Sequence, residues 1–562
     1  MSNLIKQASD EMREIILSSL GNLVSKGEVP ADAIPVFNVE IPNDISHGDF
    51  ATNVAMVCAK TFKLPPRKIA DLICENAVLD GSFFEKVEVA GPGFINFFLG
   101  KRWFSMVVGN VVSEGKNYGK TYTGNNKKVM VEFVSANPTG PMHIGNARGG
   151  AIGDCLASVL SWAGYDVSRE FYVNDAGNQI EKFATSLEVR YLQLYKEGVV
   201  LPEDAYQGAD IAVHAKNFAD IHCDKYVEAS SEERRKALVD FALPLNIAKL
   251  ESDLMQYRIK YDVWFLESTL HSGGKVLEIV DKLKEKGLTF EQEGAIWYKS
   301  TEFGAEKDDV LVRANGIPTY FAADIAYHYN KFIDRGFDKV IDVWGADHHG
   351  HVARLKGAME ALGIESSRLD VVLMQMVRLM RDGELVKVSK RTGKSITLVD
   401  LLEEVPIDAA RFFFNLREAN SHFDFDLGLA IEQSSQNPVY YVQYAHARIC
   451  SILTNLEGEG IVARDLKLND YNILTAPEEI ELIRHLATLP AEIDDAAKIY
   501  DPARITKYSV DLATKFHKFY TACHVKGEED NLQQARLSLC KAVKVTLENC
   551  SEILKIDCPD SM

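Results

Sequence analysis

The eleven residues Ala136-Asn-Pro-Thr-Gly-Pro-Met-His-Ile-Gly-Asn146 lie between an apolar, strand-like run, Lys128 to Val134, and a long helical pattern opening at His143. Strand, glycine- and proline-rich turn, then helix N-terminus is an order that builds a phosphate site. Unpaired backbone N–H groups and the positive end of the helix dipole converge there. The unit also constrains the fold. Further strand-like runs at Val167–Val173, Asp338–Trp344 and Val371–Met376 alternate with helical patterns at 143–163, closed by Gly164, and 350–362, closed by Gly363. That alternation predicts a doubly wound parallel α/β sheet with right-handed crossovers and a ligand at the C-terminal strand ends.

A chain of 562 residues exceeds what one core supports, so several domains are expected. No apolar run reaches membrane-spanning length and the first residues form no secretory apolar stretch, which predicts a cytoplasmic protein with no membrane partner. Nine scattered cysteines without a C-x-x-C predict neither a disulfide framework nor a zinc site. A net charge of −19 excludes a general polyelectrolyte binder, because non-specific nucleic-acid affinity comes from neutralising phosphates. A shaped nucleic acid held on local basic patches stays open.

Three segments are expected. Residues 1–115 form an α+β module with a helix over Ser9–Val24 and a strand over Gly93–Leu99, followed by a polar linker at 115–127. Residues 116–404 form the α/β domain, carrying a charged helical insertion at about 180–260. Residues 405–562 read as an all-α bundle, with apolar positions three and four apart, such as Ile480, Ile483 and Leu486. No long heptad seam is visible, so a monomer is the default expectation.

Two motifs carry the chemistry. His143-Ile-Gly-Asn146 resembles the HIGH signature of class I aminoacyl-tRNA synthetases, with Asn146 in place of the second histidine; alone it reads equally as a cap before a helix. Lys387-Val-Ser-Lys390 resembles the KMSKS loop of the same class; alone it reads as a solvated basic turn. Together they imply a Rossmann-like catalytic domain of the HIGH superfamily, in which an amino-acid carboxylate attacks the α-phosphate of ATP. His143 and Asn146 would then donate neutral hydrogen bonds to the phosphates. Lys387 and Lys390, with Ser389 between them, would neutralise the departing pyrophosphate. Mg²⁺ is implied by the ATP chemistry and by no visible ligand set.

Longer stretches narrow the resemblance. Val131–Gly140, Phe171–Gln179, Trp264–Leu270 and Pro318–His328 all look like the bacterial-type arginyl-tRNA synthetases, and the likeness runs across essentially the whole chain. A guanidinium is a permanently charged planar fork, so its pocket needs carboxylates. The resemblance implies Glu132 and Asp324 for that role, Tyr320 beside Asp324, Asn137 for the α-amino group, and Ser135 and His349 as further lining. It assigns Pro138 and Gly145 to the nucleotide turn, and Gly345, Asp347 and His348 to the adenosine, with Asp347 at the ribose. A His/Asp metal cluster is the competing reading of 345–350. In the C-terminal bundle the resemblance implies anticodon contacts by Tyr440, Tyr444, Arg448 and Met562. The N-terminal module resembles the domain that grips the tRNA elbow.

The implied activity is arginine–tRNA ligation: L-arginine and ATP give arginyl-adenylate and pyrophosphate, and the arginyl group passes to the 3′ end of tRNA-Arg. Two alternatives remain at this level, a non-catalytic tRNA-binding paralogue and a class I synthetase for another amino acid.

Overall fold

The computed structural model describes residues 3–31, 34–386 and 396–562. Its centre is a five-stranded parallel sheet of β1 (Lys128–Glu132), β2 (Asp166–Val173), β3 (Val263–Leu266), β4 (Lys339–Gly345) and β5 (Leu369–Met374), in the order β5-β4-β1-β2-β3. Chain order reverses on either side of β1, which is thus the switch strand, and a ligand crevice opens beyond the C-terminal ends of β1 and β4. Three helices matter for that crevice: α1 (Ile144–Trp162), α2 (Tyr320–Tyr329) and α3 (His349–Ala361).

Helix α1 lies almost wholly buried, and its glycines let it approach the sheet. A Cβ on Gly153 would stand 2.3 Å from Phe133 Cγ, far inside contact distance. The strand expected over 128–134 stops at Glu132, because Val134 and Ser135 turn to φ of +68° and +40°. Left-handed backbone is a genuine outlier for a β-branched valine. The strand and helix patterns expected near 167, 350 and 371 appear as β2, α3 and β5 with ends shifted by one or two residues.

The insertion forms helices Asn178–Leu192, Ala209–His222 and Ser231–Gln256 around a core of Phe183, Leu187, Tyr191, Ile211, Phe218 and Leu238. Past it, the structure holds strands the sequence pattern did not reveal. β3 completes the central sheet, and Thr289–Gln292, Ala295–Tyr298 and Asp309–Val312 make a separate antiparallel sheet. The region beyond 405 is not all helical either. Phe423–Asp426 pairs in parallel with Val377–Arg381, because Phe423 and Phe425 turn inward while Asp424 turns out to Arg378, a period of two. The long helices of the C-terminal bundle begin at Pro438.

The N-terminal module packs the helix Leu4–Ser25 and two shorter helices on a four-stranded antiparallel sheet, in which Phe94–Leu99 is a central strand. The expected linker is not a free tether. Tyr118 donates to the Leu486 carbonyl at 2.7 Å, Asn549 donates to the Gly115 and Tyr118 carbonyls, and Thr121 and Thr123 donate to Asp494. Its polar side chains, legible only as linker composition, fasten it to the C-terminal helices.

Candidate active site

The turn after β1 is held from several sides. Ser135 Oγ donates to Glu132 Oε1 at 2.9 Å and accepts from the Tyr172 amide at 3.1 Å. Tyr261 donates to the Phe133 carbonyl, and Asn246 donates to the Pro138 carbonyl. The turn walls a cavity of about 630 Å³ lined by Ser135, Asn137, Thr139, His143, Asn146 and His348. His143 is the N-cap of α1 and is exposed at the cavity mouth. Asn146 Oδ1 accepts from the His143 amide at 3.0 Å. This leaves the carboxamide nitrogen as the end that can donate to a ligand, beside the free amides of the first helical turn. An anion is the complementary guest.

Gly345 ends β4, and Asp347 and His348 follow in a short helical turn, both well exposed. His349 is the exposed first residue of α3. Two residues on, His351 does what the sequence reading did not foresee. Its Nε2 meets Asp324 Oδ2 at 2.8 Å, while Arg354 donates to its Nδ1 at 2.9 Å. A donor on Nδ1 leaves the ring proton on Nε2, so His351 donates to Asp324.

Tyr320 and Asp324 lie one turn apart on α2, whose N-cap Thr319 accepts from the Ala322 amide. Tyr320 is 42% exposed and its hydroxyl accepts from the Asn178 amide at 2.9 Å. Beside them is a cavity of about 360 Å³ lined by Gly177, Asn178, Glu267, His271 and Tyr320. Glu267 lies in the Trp264–Leu270 stretch, where nothing in the local sequence marks it as a pocket residue. It is 2% exposed, meets His271 at 3.2 Å, and accepts from the Asn174 carboxamide at 3.0 Å in the orientation that amide's neighbours require. Burial is the main cause that lifts its pKa, with the Asp324 charge adding to it against His271 and Tyr172. Tyr172 is likewise pushed up, by burial first and then by Glu267 and Asp324. This end of the sheet is therefore strongly electronegative and suited to a cation.

Glu132, expected at the same pocket, is 6% exposed, and both its oxygens already hold donors from the protein: Ser135 on one, and Lys331 Nζ at 2.6 Å on the other. Lys387, Ser389 and Lys390 lie outside the described residues. Thr397, past them in the chain, forms a β-bridge with His143, and the Leu398 amide donates to the Met142 carbonyl. As for metal, the one His/Cys/Asp/Glu group among the described residues close enough to share an ion is His446, Cys450 and Asp560, remote in sequence from Asp347 and His348.

A family model for the catalytic domain of class I (R) tRNA synthetases matches residues 107–426, and one for the arginyl tRNA synthetase N terminal domain matches residues 10–99. The chain is 55% identical over 562 residues to an arginine–tRNA ligase of Caldanaerobacter subterraneus subsp. tengcongensis, spanning 100% of both. It is 54% identical over 564 residues to that of Ruminiclostridium cellulolyticum, again spanning 100% of both. The chain belongs to the arginyl-tRNA synthetase family. The solved arginyl-tRNA synthetase of Thermus thermophilus has the same fold, with a TM-score of 0.73 and 22% identity over 99% of this chain and 100% of that one.

A model for the DALR anticodon binding domain matches residues 442–562. On the helix Pro438–Gly458, Tyr440 and Tyr444 stack with centroids 6.4 Å apart, and Tyr444 also stacks on His517. Arg448 lies over Tyr520 at 4.5 Å. Tyr444 is 39% exposed and Met562 52% exposed. The row is partly open, so aromatic π-faces lie at the surface of this helix.

Proposed function

We propose that this chain is an arginine–tRNA ligase. ATP binds in the cavity at the α1 N-terminus, with Pro138, Gly145, His143 and Asn146 around its phosphates and Gly345, Asp347 and His348 near its adenosine. Mg²⁺ accompanies the phosphates as part of that substrate. Arginine sits in the acidic pocket of Asp324 and Tyr320, with Asn137 on its amino group, Ser135 and His349 at its edge, and Glu132 buried behind Ser135. Its carboxylate attacks the α-phosphorus, pyrophosphate leaves, and the neutral donors of His143 and Asn146 meet charge that grows on the phosphate oxygens. Lys387 and Lys390 neutralise the leaving group. The 3′-terminal ribose hydroxyl of tRNA-Arg then attacks the adenylate carbonyl and releases AMP.

The observation that carries this reading is the Asp324–His351 hydrogen bond, which ties an acidic pocket to the helix that starts where β4 ends, beside the anion-binding turn. The N-terminal module serves the tRNA elbow, and Tyr440, Tyr444, Arg448 and Met562 serve the anticodon loop. We place the enzyme in the cytoplasm as a monomer; light scattering coupled to size exclusion tests the latter. The decisive assay is charging of total tRNA with each amino acid in turn. Arginine alone should be transferred; no transfer would favour a binding paralogue, and transfer of another amino acid would reassign the pocket.

A further inference from the structure

Directly under the turn, three acids stand side by side across the sheet. Asp342 of β4 is the register partner of Glu132 of β1, which is the partner of Glu170 of β2, and all three are buried. Carboxylates crowded in low dielectric raise one another's pKa unless cations answer them. A single helical stretch supplies the answer. Lys331, wholly buried, donates to Glu132 Oε2 at 2.6 Å and to Asp342 Oδ1 at 3.0 Å, and its Nζ lies 4.1 Å from the centre of the Tyr327 ring. His328 Nε2 meets Asp342 Oδ2 at 2.8 Å, while Arg335 and Tyr327 both donate to Glu170. Lys331 leaves from a single π-turn, Asn330–Asp334, a local widening of the helix of the kind that marks functional sites.

We propose that Lys331 is a positioning residue for amino-acid activation: it anchors Glu132, and Glu132 through Ser135 holds the left-handed Val134–Ser135 turn that walls the nucleotide cavity. The inference rests on the ligase reading above. Glu132 lies only three chain positions from Ser135, yet its other oxygen is fixed from Lys331, so one carboxylate joins the turn to the far side of the sheet. Burial lifts the Glu132 pKa and Lys331 is the chief group opposing that lift, with His328 assisting and Asp342 adding to it. Without Lys331, burial would favour the neutral form of Glu132 with no ammonium to oppose it, and its end of the link would slacken. The groups facing Lys331 are Glu132, Asp342, His328 and the Tyr327 ring, with Glu170 acting on it while paired to Arg335, so its removal leaves an excess of buried negative charge.

The test is arginine charging of tRNA by the full chain between about pH 6 and 9, with thermal melts alongside. Lys331→Met should lose about tenfold or more in kcat/KM for arginine near neutrality and regain several-fold as pH rises, a limb absent from wild type. The double variant Glu132→Gln with Lys331→Met, which has no Glu132 carboxyl left to titrate, should be impaired and lack that limb. Ser135→Ala keeps the Lys331–Glu132 ion pair but removes the hydroxyl that joins Glu132 and the Tyr172 amide to the turn; it should fold and lose activity several-fold without the new limb. If Lys331→Met fails to fold, Lys331→Gln, which keeps a donor but no charge, takes its place and should show the same alkaline limb. A Lys331→Met profile parallel to wild type, or a Ser135→Ala enzyme with wild-type kinetics, overturns the inference. A wild-type chain that charges no arginine instead overturns the ligase reading on which it rests.

Discussion

Replacing Asp324 by Asn tests the arginine pocket with little change of shape. One oxygen of Asp324 accepts from His351 at 2.8 Å, and among the described residues the other holds no hydrogen bond, so one acceptor edge is open to a guanidinium. A hydrogen bond between charged groups contributes about 1.5–3 kcal/mol, and cutting one partner of a buried charge pair costs about 2–5 kcal/mol. Asp324 is 35% exposed, which places the loss at the lower end, about 2–3 kcal/mol, or roughly 30- to 150-fold in kcat/KM for arginine. The Asn carbonyl can still accept from His351, so the melting temperature should move by no more than about 2 °C. Steady-state charging with labelled arginine reads the loss, and KM for ATP is the internal control, since Asp324 is not among the residues lining the nucleotide cavity. A loss below about threefold, or an equal rise in KM for ATP, would refute the assignment.

Three further outcomes follow from the geometry. His351→Ala frees Asp324 from its orienting donor and should raise KM for arginine several-fold with kcat little changed; an unmoved KM means that Asp324 is held by other contacts. Gly153→Ala puts a methyl 2.3 Å from Phe133 Cγ and should destabilise the α/β domain by about 1–3 kcal/mol, seen as an earlier urea transition, whereas an unchanged midpoint would mean the helix yields at no cost. The C-terminal tail should be held in a pH window. Burial disfavours charge on His446, but its hydrogen bonds to Cys558, Glu548 and the Pro559 carbonyl outweigh this and push its pKa up to about 10. Glu548 is lowered to about 2, chiefly by His446 and against burial. A raised histidine contributes fully below its unfolded value and loses that contribution as pH climbs toward about 10; a depressed carboxylate contributes above its unfolded value and loses it as pH falls toward about 2. Digestion by carboxypeptidase should therefore be slowest in mildly acidic solution and accelerate toward pH 10 once the protease's own pH dependence is divided out. His446→Ala should remove the alkaline acceleration, and its persistence would show that His446 does not hold the tail.

How much of the site was legible depended on sequence distance. The turn, the N-cap His143 and the Tyr320/Asp324 pair are local patterns, and a four-residue spacing becomes one helix face wherever the helix forms. The choice among His348, His349 and His351 needed the phase of α3 relative to α2, which no periodicity within that short stretch provides. The strand Phe423–Asp426 was hidden because four residues amid helical patterns carry little signal, although their alternation was present. Lys331 was illegible for a stronger reason. Its partner Glu132 lies 199 residues away, and Glu132, Glu170 and Asp342 sit on three strands far apart in the chain. Only the register of the sheet brings the three acids into one row.

That row also explains why so costly an arrangement lies under the site. Val134 and Ser135 hold backbone conformations that cost about 1–3 kcal/mol each for ordinary residues, and they persist only where the surroundings over-determine them. The surroundings here are Tyr261 on the Phe133 carbonyl, the Tyr172 amide on Ser135, and Glu132 on the Ser135 hydroxyl. Glu132 is an effective anchor only while it is charged and fixed, and a carboxylate buried without a cation is neither. Lys331 satisfies that need, but its own ammonium then needs a second acid, which Asp342 provides from the neighbouring strand, with His328 completing that acid's bonds. Each buried charge is thus required by the one before it, and the sequence of requirements starts at the strained turn. A neutral anchor would avoid the burial cost, yet it would hold the Ser135 hydroxyl with an ordinary hydrogen bond, about half as strong as one to an ionised acceptor.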